Sequence, residues 1–116
     1  MRPAELHIEG DANFIRATVL GEVDMSNAAE LRSEISAAVP NDATALVLDL
    51  TSVDYMDSAG LHLVHHLRES LRARGQSLLL VIPEGSVVHT ALRLSGLDWH
   101  EHIAPSLRAA RAALGA

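Results

Sequence analysis

The groups able to do chemistry lie close together: a serine beside a carboxylate, Asp57-Ser58, and three histidines just downstream, His62, His65 and His66. A nucleophilic serine in a hydrolase elbow needs glycine two residues before and after it, because the turn is strained. Here Met56 stands at the first of those positions. Asp57 would also set a negative charge against a developing oxyanion, where such sites place donors. Covalent catalysis at Ser58 is therefore disfavoured. His62 and His66 have the i, i+4 spacing of a helical metal pair, but the run is not H-E-x-x-H and offers no evident third ligand. The expectation is a polar, partly exposed helix face; His62, one turn after Ser58, is also placed to meet a phosphate or a partner. His7, His89, His100 and His102 show no convergent spacing. Asp49 interrupts an apolar run, and is read as closing a strand and bonding loop amides rather than as a buried carboxylate of tuned acidity. Gly85 and Gly96 are isolated, so no glycine-rich phosphate cradle is present. Neither a cofactor nor a metal is expected.

The elements that must position these groups run from Leu46 to Gly75. Leu46-Val47-Leu48, continued past Asp49 by Leu50, suits a strand buried on both faces of a parallel sheet. Thr51-Ser52-Val53-Asp54 reads as a polar turn, followed by Tyr55-Met56. From Asp57 the period changes, and Leu63, Val64, Leu67 and Leu71 fall on one helical face. Ser58, His62, His65, Glu69 and Arg72 form a polar stripe opposite. Gly75 suits a left-handed cap, and Arg72 and Arg74 favour the negative end of the helix dipole. Ser58 is thus expected to be exposed at a helix entrance, near unpaired backbone N–H groups and the positive dipole end. That is a setting that tolerates an added phosphate. Without further information, helix capping is the commonest work of an Asp-Ser pair.

The chain has 116 residues, suited to one domain spanning 1–116. A hydrophobic content of 48% with 3% aromatic residues implies a core of Leu, Val, Ile and Ala. The net charge of −6 argues against direct nucleic-acid binding, which wants a basic face. The absence of cysteine excludes disulfides and thiol chemistry. The N-terminal stretch lacks a signal peptide's apolar run and no segment approaches membrane-spanning length, so a cytoplasmic protein without membrane insertion is expected.

Glu5–Glu9 alternates as a half-exposed strand, Gly10–Asn13 is turn material, and Phe14–Gly21 reads as the second strand of an antiparallel hairpin. Glu22–Met25 reads as a loop, with Ser26 the N-cap of a helix that buries Leu31, Ile35, Ala38 and Val39 and ends at Pro40. Asp24 is placed to cap Asn27 or Ala28. Ser77–Ile82 is the most apolar run, expected as a central strand. Ser86 caps a third helix that stops at Gly96, Leu97–Ile103 is a last short strand, and Pro105-Ser106 opens a terminal helix. Strands alternating with helices imply an α/β fold with a mixed, mostly parallel sheet of about five strands and about four helices.

The run LVLDLTSVDYMDSAGL resembles the signature of STAS-domain anti-sigma factor antagonists, a bacterial partner-switching family whose strand–loop–helix element carries Asp-Ser-x-Gly at the helix start. GEVDMSNAAELRSEI upstream and LLLVIPEGSVVHTALRLSGLDWHEHI downstream resemble the family's other blocks, so nearly the whole chain is covered. The resemblance implies helices mainly on one side of the sheet. It implies that Ser58 is phosphorylated by an anti-sigma factor that is itself a serine kinase using its own ATP, and that a PP2C-type phosphatase resets the switch. Carried over by position, Asp57 and Asp24 match acidic positions of the motif and first block. Ser26, Asp54, Tyr55, Met56, Ala59, Gly60, Leu61 and His62 are its neighbours on the recognition surface, with Tyr55, Met56 and Leu61 as apolar anchors. The pattern usually has a small residue where this chain has His62. The unphosphorylated form is expected to bind the anti-sigma factor and free the sigma factor, which is not enzyme activity. The rival reading keeps the fold but makes the chain a stand-alone STAS subunit of a membrane transporter complex, docking on its ATPase.

Overall fold

The computed structural model describes residues 3–11, 13–96 and 102–115. Its elements are β1 (Glu5–Asp11), β2 (Phe14–Val23), α1 (Ala28–Ala38), β3 (Ala45–Met56), α2 (Ser58–Ala73), β4 (Ser77–Val81), α3 (Val87–Leu94), β5 (Ile103–Ala104) and α4 (Leu107–Ala113). The strands lie in the order β1-β2-β3-β4-β5; β1 pairs antiparallel with β2, and the other pairings are parallel. This is the expected mixed sheet with an initial hairpin. The apolar run of β4 is interior as expected, with β3 on one side and β5 on the other.

Side-chain alternation along β3 divides the core in two. Leu46, Leu48 and Leu50 face a large cluster that takes Leu31 and Ile35 of α1, Leu63, Val64, Leu67 and Leu71 of α2, and Val88 and Leu92 of α3. Ala45 and Val47 face a smaller cluster with Phe14, Val81, Ala104 and Ala110 of α4. Three helices therefore cover one face and the short α4 the other, because β3 and β4 are apolar on both faces and need two covers.

Several boundaries differ from the sequence expectation. β2 runs on to Val23, so Glu22 and Val23 are strand and not loop. Thr51–Asp54 is not a turn; β3 continues to Met56. The register explains both. Thr18 pairs with Asp49, Leu20 with Ser52 and Glu22 with Tyr55, so the offset between partners grows by one residue at each step and β3 carries two bulges. Each bulge resets the alternation, and Leu50, Val53 and Met56 all reach the large core cluster at a spacing of three. A period of two is thereby broken and the segment reads as polar turn. Asp49 lies mid-strand rather than at a strand end, and its carboxylate accepts the N–H of Thr51 at the first bulge.

Helix ends agree better. Ser86 and Ser106 accept from His89 N–H and Ala109 N–H as N-caps. Gly75 follows α2 with φ of 73°, the expected left-handed stop. Ser26 does not cap α1: the N-cap is Asn27, without a side-chain cap bond. The hydroxyl of Ser26 donates instead to Asp24. Of the helix's expected buried residues, Leu31, Ile35 and Val39 are buried and Ala38 only half so. The expected strand Leu97–Ile103 begins in residues outside those described, and Ile103 does pair with Leu80. No helix among the described residues is long and apolar enough to cross a membrane.

The far end of α2 is tied down by two side chains. Arg74 donates to the carbonyl of Val39 and to Asn41. Gln76, 6% exposed, donates through Nε2 to the carbonyls of Pro40 and Ala43, both at 2.9 Å. Removing a donor from buried carbonyls costs about 1–3 kcal/mol. Gln76→Ala is therefore expected to lose that much stability, read as a lower urea midpoint at unchanged m value, with Arg74→Ala, whose bonds are more exposed, costing less than about 1 kcal/mol.

Candidate functional site

The site forms where two adjacent parallel strands end. Val23 closes β2 opposite Met56, which closes β3. The next residues, Asp24 and Asp57, leave the sheet side by side, and Asp57 N–H donates to the carbonyl of Val23 at 3.2 Å. The outer ends of parallel strands are where α/β folds expose their variable groups.

Asp57 is the N-cap of α2, in extended conformation, and its Oδ1 accepts from Ala59 N–H at 2.8 Å and Gly60 N–H at 3.3 Å. Its carbonyl takes Leu61 N–H as the first intrahelical bond. Ser58 is consequently the first helical residue and is exposed. The sequence expectation of open first-turn amides around it needs amendment. Asp57 already occupies two of them.

Gly60 explains how the helix can start so near the sheet. A Cβ at this position would sit 2.4 Å from Met56 Cγ and 3.2 Å from Val23 Cγ1. The first turn of α2 therefore rests with its backbone on the side chains that end β2 and β3. Met56 is buried beneath it, 6% exposed. This corrects the reading of Met56 as an anchor for a partner: it supports the helix from below. Tyr55 is exposed, as an anchor requires, while Leu61 is half-buried and packs on the core.

Asp24 organises the neighbouring loop. Its carboxylate accepts Ser26 N–H at 2.9 Å as well as the Ser26 hydroxyl, and its own N–H donates to Asn27 Oδ1. The expected bonds to Asn27 and Ala28 come from its backbone carbonyl, not its side chain. Asn27 Nδ2 reaches back to the carbonyl of Glu22, so the loop is cross-braced. Asp54 is exposed at the second β3 bulge.

The polar stripe of α2 is exposed at Ser58, His62 and Glu69, and His65 is half-buried. His62 and His66 both turn to the side of α1, where they line a groove of about 240 Å³ with Met25 and Arg32. Among the described residues no group of three His, Asp or Glu converges to hold a metal. Two members of this surface escaped the sequence reading. Met25 is 83% exposed beside Asp24. A methionine between an aspartate and a serine in a loop was the available signal. Arg32 carried none, since a lone arginine on a helix is ordinary surface.

A family model described as STAS domain matches residues 6–110. RsfB, an anti-sigma-F factor antagonist of Mycobacterium tuberculosis, is 38% identical over 79 residues, which are 67% of this chain and 62% of that protein. The chain thus aligns with less than two thirds of the length of that curated relative. The crystal structure of an anti-sigma factor antagonist from Mycobacterium paratuberculosis matches with a TM-score of 0.85 at 27% identity, over 98% of this chain and 96% of that one. A probable sulfate transporter, 3.4 of Arabidopsis thaliana, is 32% identical over 100 residues, 79% of this chain and 15% of that protein.

Two substitutions test how the helix start is built. Asp57→Ala is expected to lose about 0.5–2 kcal/mol through the missing cap, and Asp57→Asn, which keeps the acceptor, a few tenths. Gly60→Ala is expected to cost about 1–3 kcal/mol, because Met56 Cγ is hemmed in by the core and must move. Urea unfolding reads both; an unchanged midpoint for Gly60→Ala would show that the helix does not rest on Met56.

Proposed function

The chain belongs to the STAS domain family, and we propose that it works in that family as an anti-sigma factor antagonist, a binding protein rather than an enzyme. On this reading residues 1–116 act as one domain. The unphosphorylated form binds a kinase-type anti-sigma factor and so releases the sigma factor. That partner transfers the γ-phosphoryl group of its own ATP to the Ser58 hydroxyl, and a PP2C-type phosphatase removes it. The observation that carries the reading is an exposed serine at the first position of α2, with its neighbouring aspartate turned to the helix amides. The names of RsfB and of the mycobacterial structure support the antagonist role.

The physical argument for a switch follows from that capping. A phosphoserine carries about −1.5 to −2 charges at pH 7. With Ala59 and Gly60 amides taken by Asp57, the phosphate finds little backbone compensation beyond the dipole itself. Its charge faces outward, beside Asp57 and near Asp24 and Asp54. A partner packed on Tyr55, Leu61 and the Asp24–Ser26 loop meets that charge directly. Ser58 is exposed, so the fold has no reason to change. Gly60 and Met56 serve the contact by setting its shape from beneath, and Ala59 and His62 flank it.

The transporter relative supports a second reading, in which the chain is a STAS subunit of a membrane transporter complex; on that reading it docks on the complex's ATPase without phosphorylation. One experiment separates them. Ser58→Ala and Ser58→Asp baits are used to capture proteins from the native lysate, with mass spectrometry for identity and circular dichroism for fold. The expected result is an anti-sigma factor with a kinase fold on the alanine bait, depleted about tenfold or more on the aspartate bait, with identical spectra. A transporter ATPase on both baits would replace the antagonist reading, and loss of the fold in Ser58→Asp would sink the switch mechanism.

A further inference from the structure

We infer that the groove between α1 and α2 is the docking site for an apolar side chain of the partner protein, carried on a segment whose flanking residues are acidic. The inference rests on the reading that this face binds a protein, and it names the chemistry of the segment bound. The groove encloses about 240 Å³, below the roughly 300–1,000 Å³ of sites that hold small molecules. A single large side chain fits that volume. Ala29 and Ala59 face each other across it and leave it open, with the buried Leu63 in its wall. Met25 forms one lip and is 83% exposed. An unbranched thioether is well suited to adjust around an apolar guest, and exposing one so fully beside an apolar wall leaves it uncovered in the free protein.

Charge selects the flanks. The chain carries −6 overall, and the neighbouring strand ends present Asp24, Asp54 and Asp57. The groove is the reverse. Its polar lining is Arg32, His62 and His66, and none of the described lining residues is a carboxylate. Arg32 offers a planar fork suited to a carboxylate and the two imidazoles offer ring donors. An acidic residue is therefore matched here by Arg32, and a basic one meets no carboxylate among the described lining residues. The site also adjoins the proposed switch. Ala59 in its lining follows Ser58 directly, and His62 lies one turn after Ser58, within reach of a charge placed there. A phosphate on Ser58 competes with the partner's carboxylate for that rim.

Short random peptides displayed against the purified full chain, then titrated as synthetic fluorescent peptides, test the assignment without any knowledge of the native partner. The expected peptides carry one large apolar residue between aspartates or glutamates. Their affinity is expected to fall about tenfold or more in Arg32→Glu, in His62→Glu and in Met25→Ser, and in Ser58→Asp, with circular dichroism unchanged. Glu69→Gln, on α2 outside the groove, is expected to bind as the parent does. Enrichment of basic peptides, of peptides without an apolar residue, or of none at all overturns the proposal, as does binding indifferent to Arg32→Glu and Met25→Ser. The peptide result and the bait result fail separately. Groove-dependent binding of acidic peptides with a transporter ATPase on both baits keeps the docking site and removes the antagonist reading.

Discussion

The seating of the first turn of α2 on the ends of β2 and β3 is the contact on which the rest of this surface depends. It has a backbone part, the Asp57 N–H to Val23 carbonyl bond, and a packing part, Gly60 against Met56 and Val23. Together they hold the helix start at a fixed height over the sheet. That height brings Ser58 to the surface, places Asp24 beside Asp57, and sets α2 far enough from α1 to leave a groove between them. A side chain at position 60 would lift the turn, and each of these relations would alter with it.

The bulges in β3 belong to the same construction. A regular strand would alternate in and out from Leu50 to Met56, and could not bury Leu50, Val53 and Met56 on one face. Two extra residues against β2 make it possible. The strand thereby arrives at the helix with Met56 inward, under Gly60, and with Asp54 and Tyr55 outward. Bulges cluster beside functional sites because they re-aim side chains without ending the sheet. Here they turn a core strand into the floor beneath the start of α2.

That surface is electrostatically divided. On one side stand Asp24, Asp54 and Asp57, Asp24 holding Ser26 N–H and Asp57 holding Ala59 N–H. On the other lie Arg32, His62 and His66 around an apolar hollow. A division of this kind would suit a device read by charge, with the proposed phosphate on Ser58 standing at the boundary. A charge there would leave the core in place, since Ser58 itself is exposed above the large cluster.

The sequence by itself determined what depends on local periodicity and local chemistry. The buried stripe of α2, its polar stripe with Ser58 exposed, its start at the Asp57-Ser58 pair, the stop at Gly75, the cap at Ser86, the helix opening at Pro105-Ser106 and the hairpin all follow from residues a turn or a pairing apart. The family resemblance carried by the blocks around Asp57-Ser58 was legible in the same way. Only the tertiary structure decided the rest. Met56 looked like a surface anchor because nothing in a linear pattern reveals that Gly60, four residues on, lies above it. Ser26 looked like a cap because serine before an apolar-periodic run commonly is one, but the helix begins one residue later and its N-cap is Asn27. Thr51–Asp54 looked like a turn because bulges are a relation between two strands, invisible in one. The groove joining Met25, Arg32 and His62 belongs to two helices separated by a strand, and their distance is set by packing against a common sheet rather than by any residue along the chain.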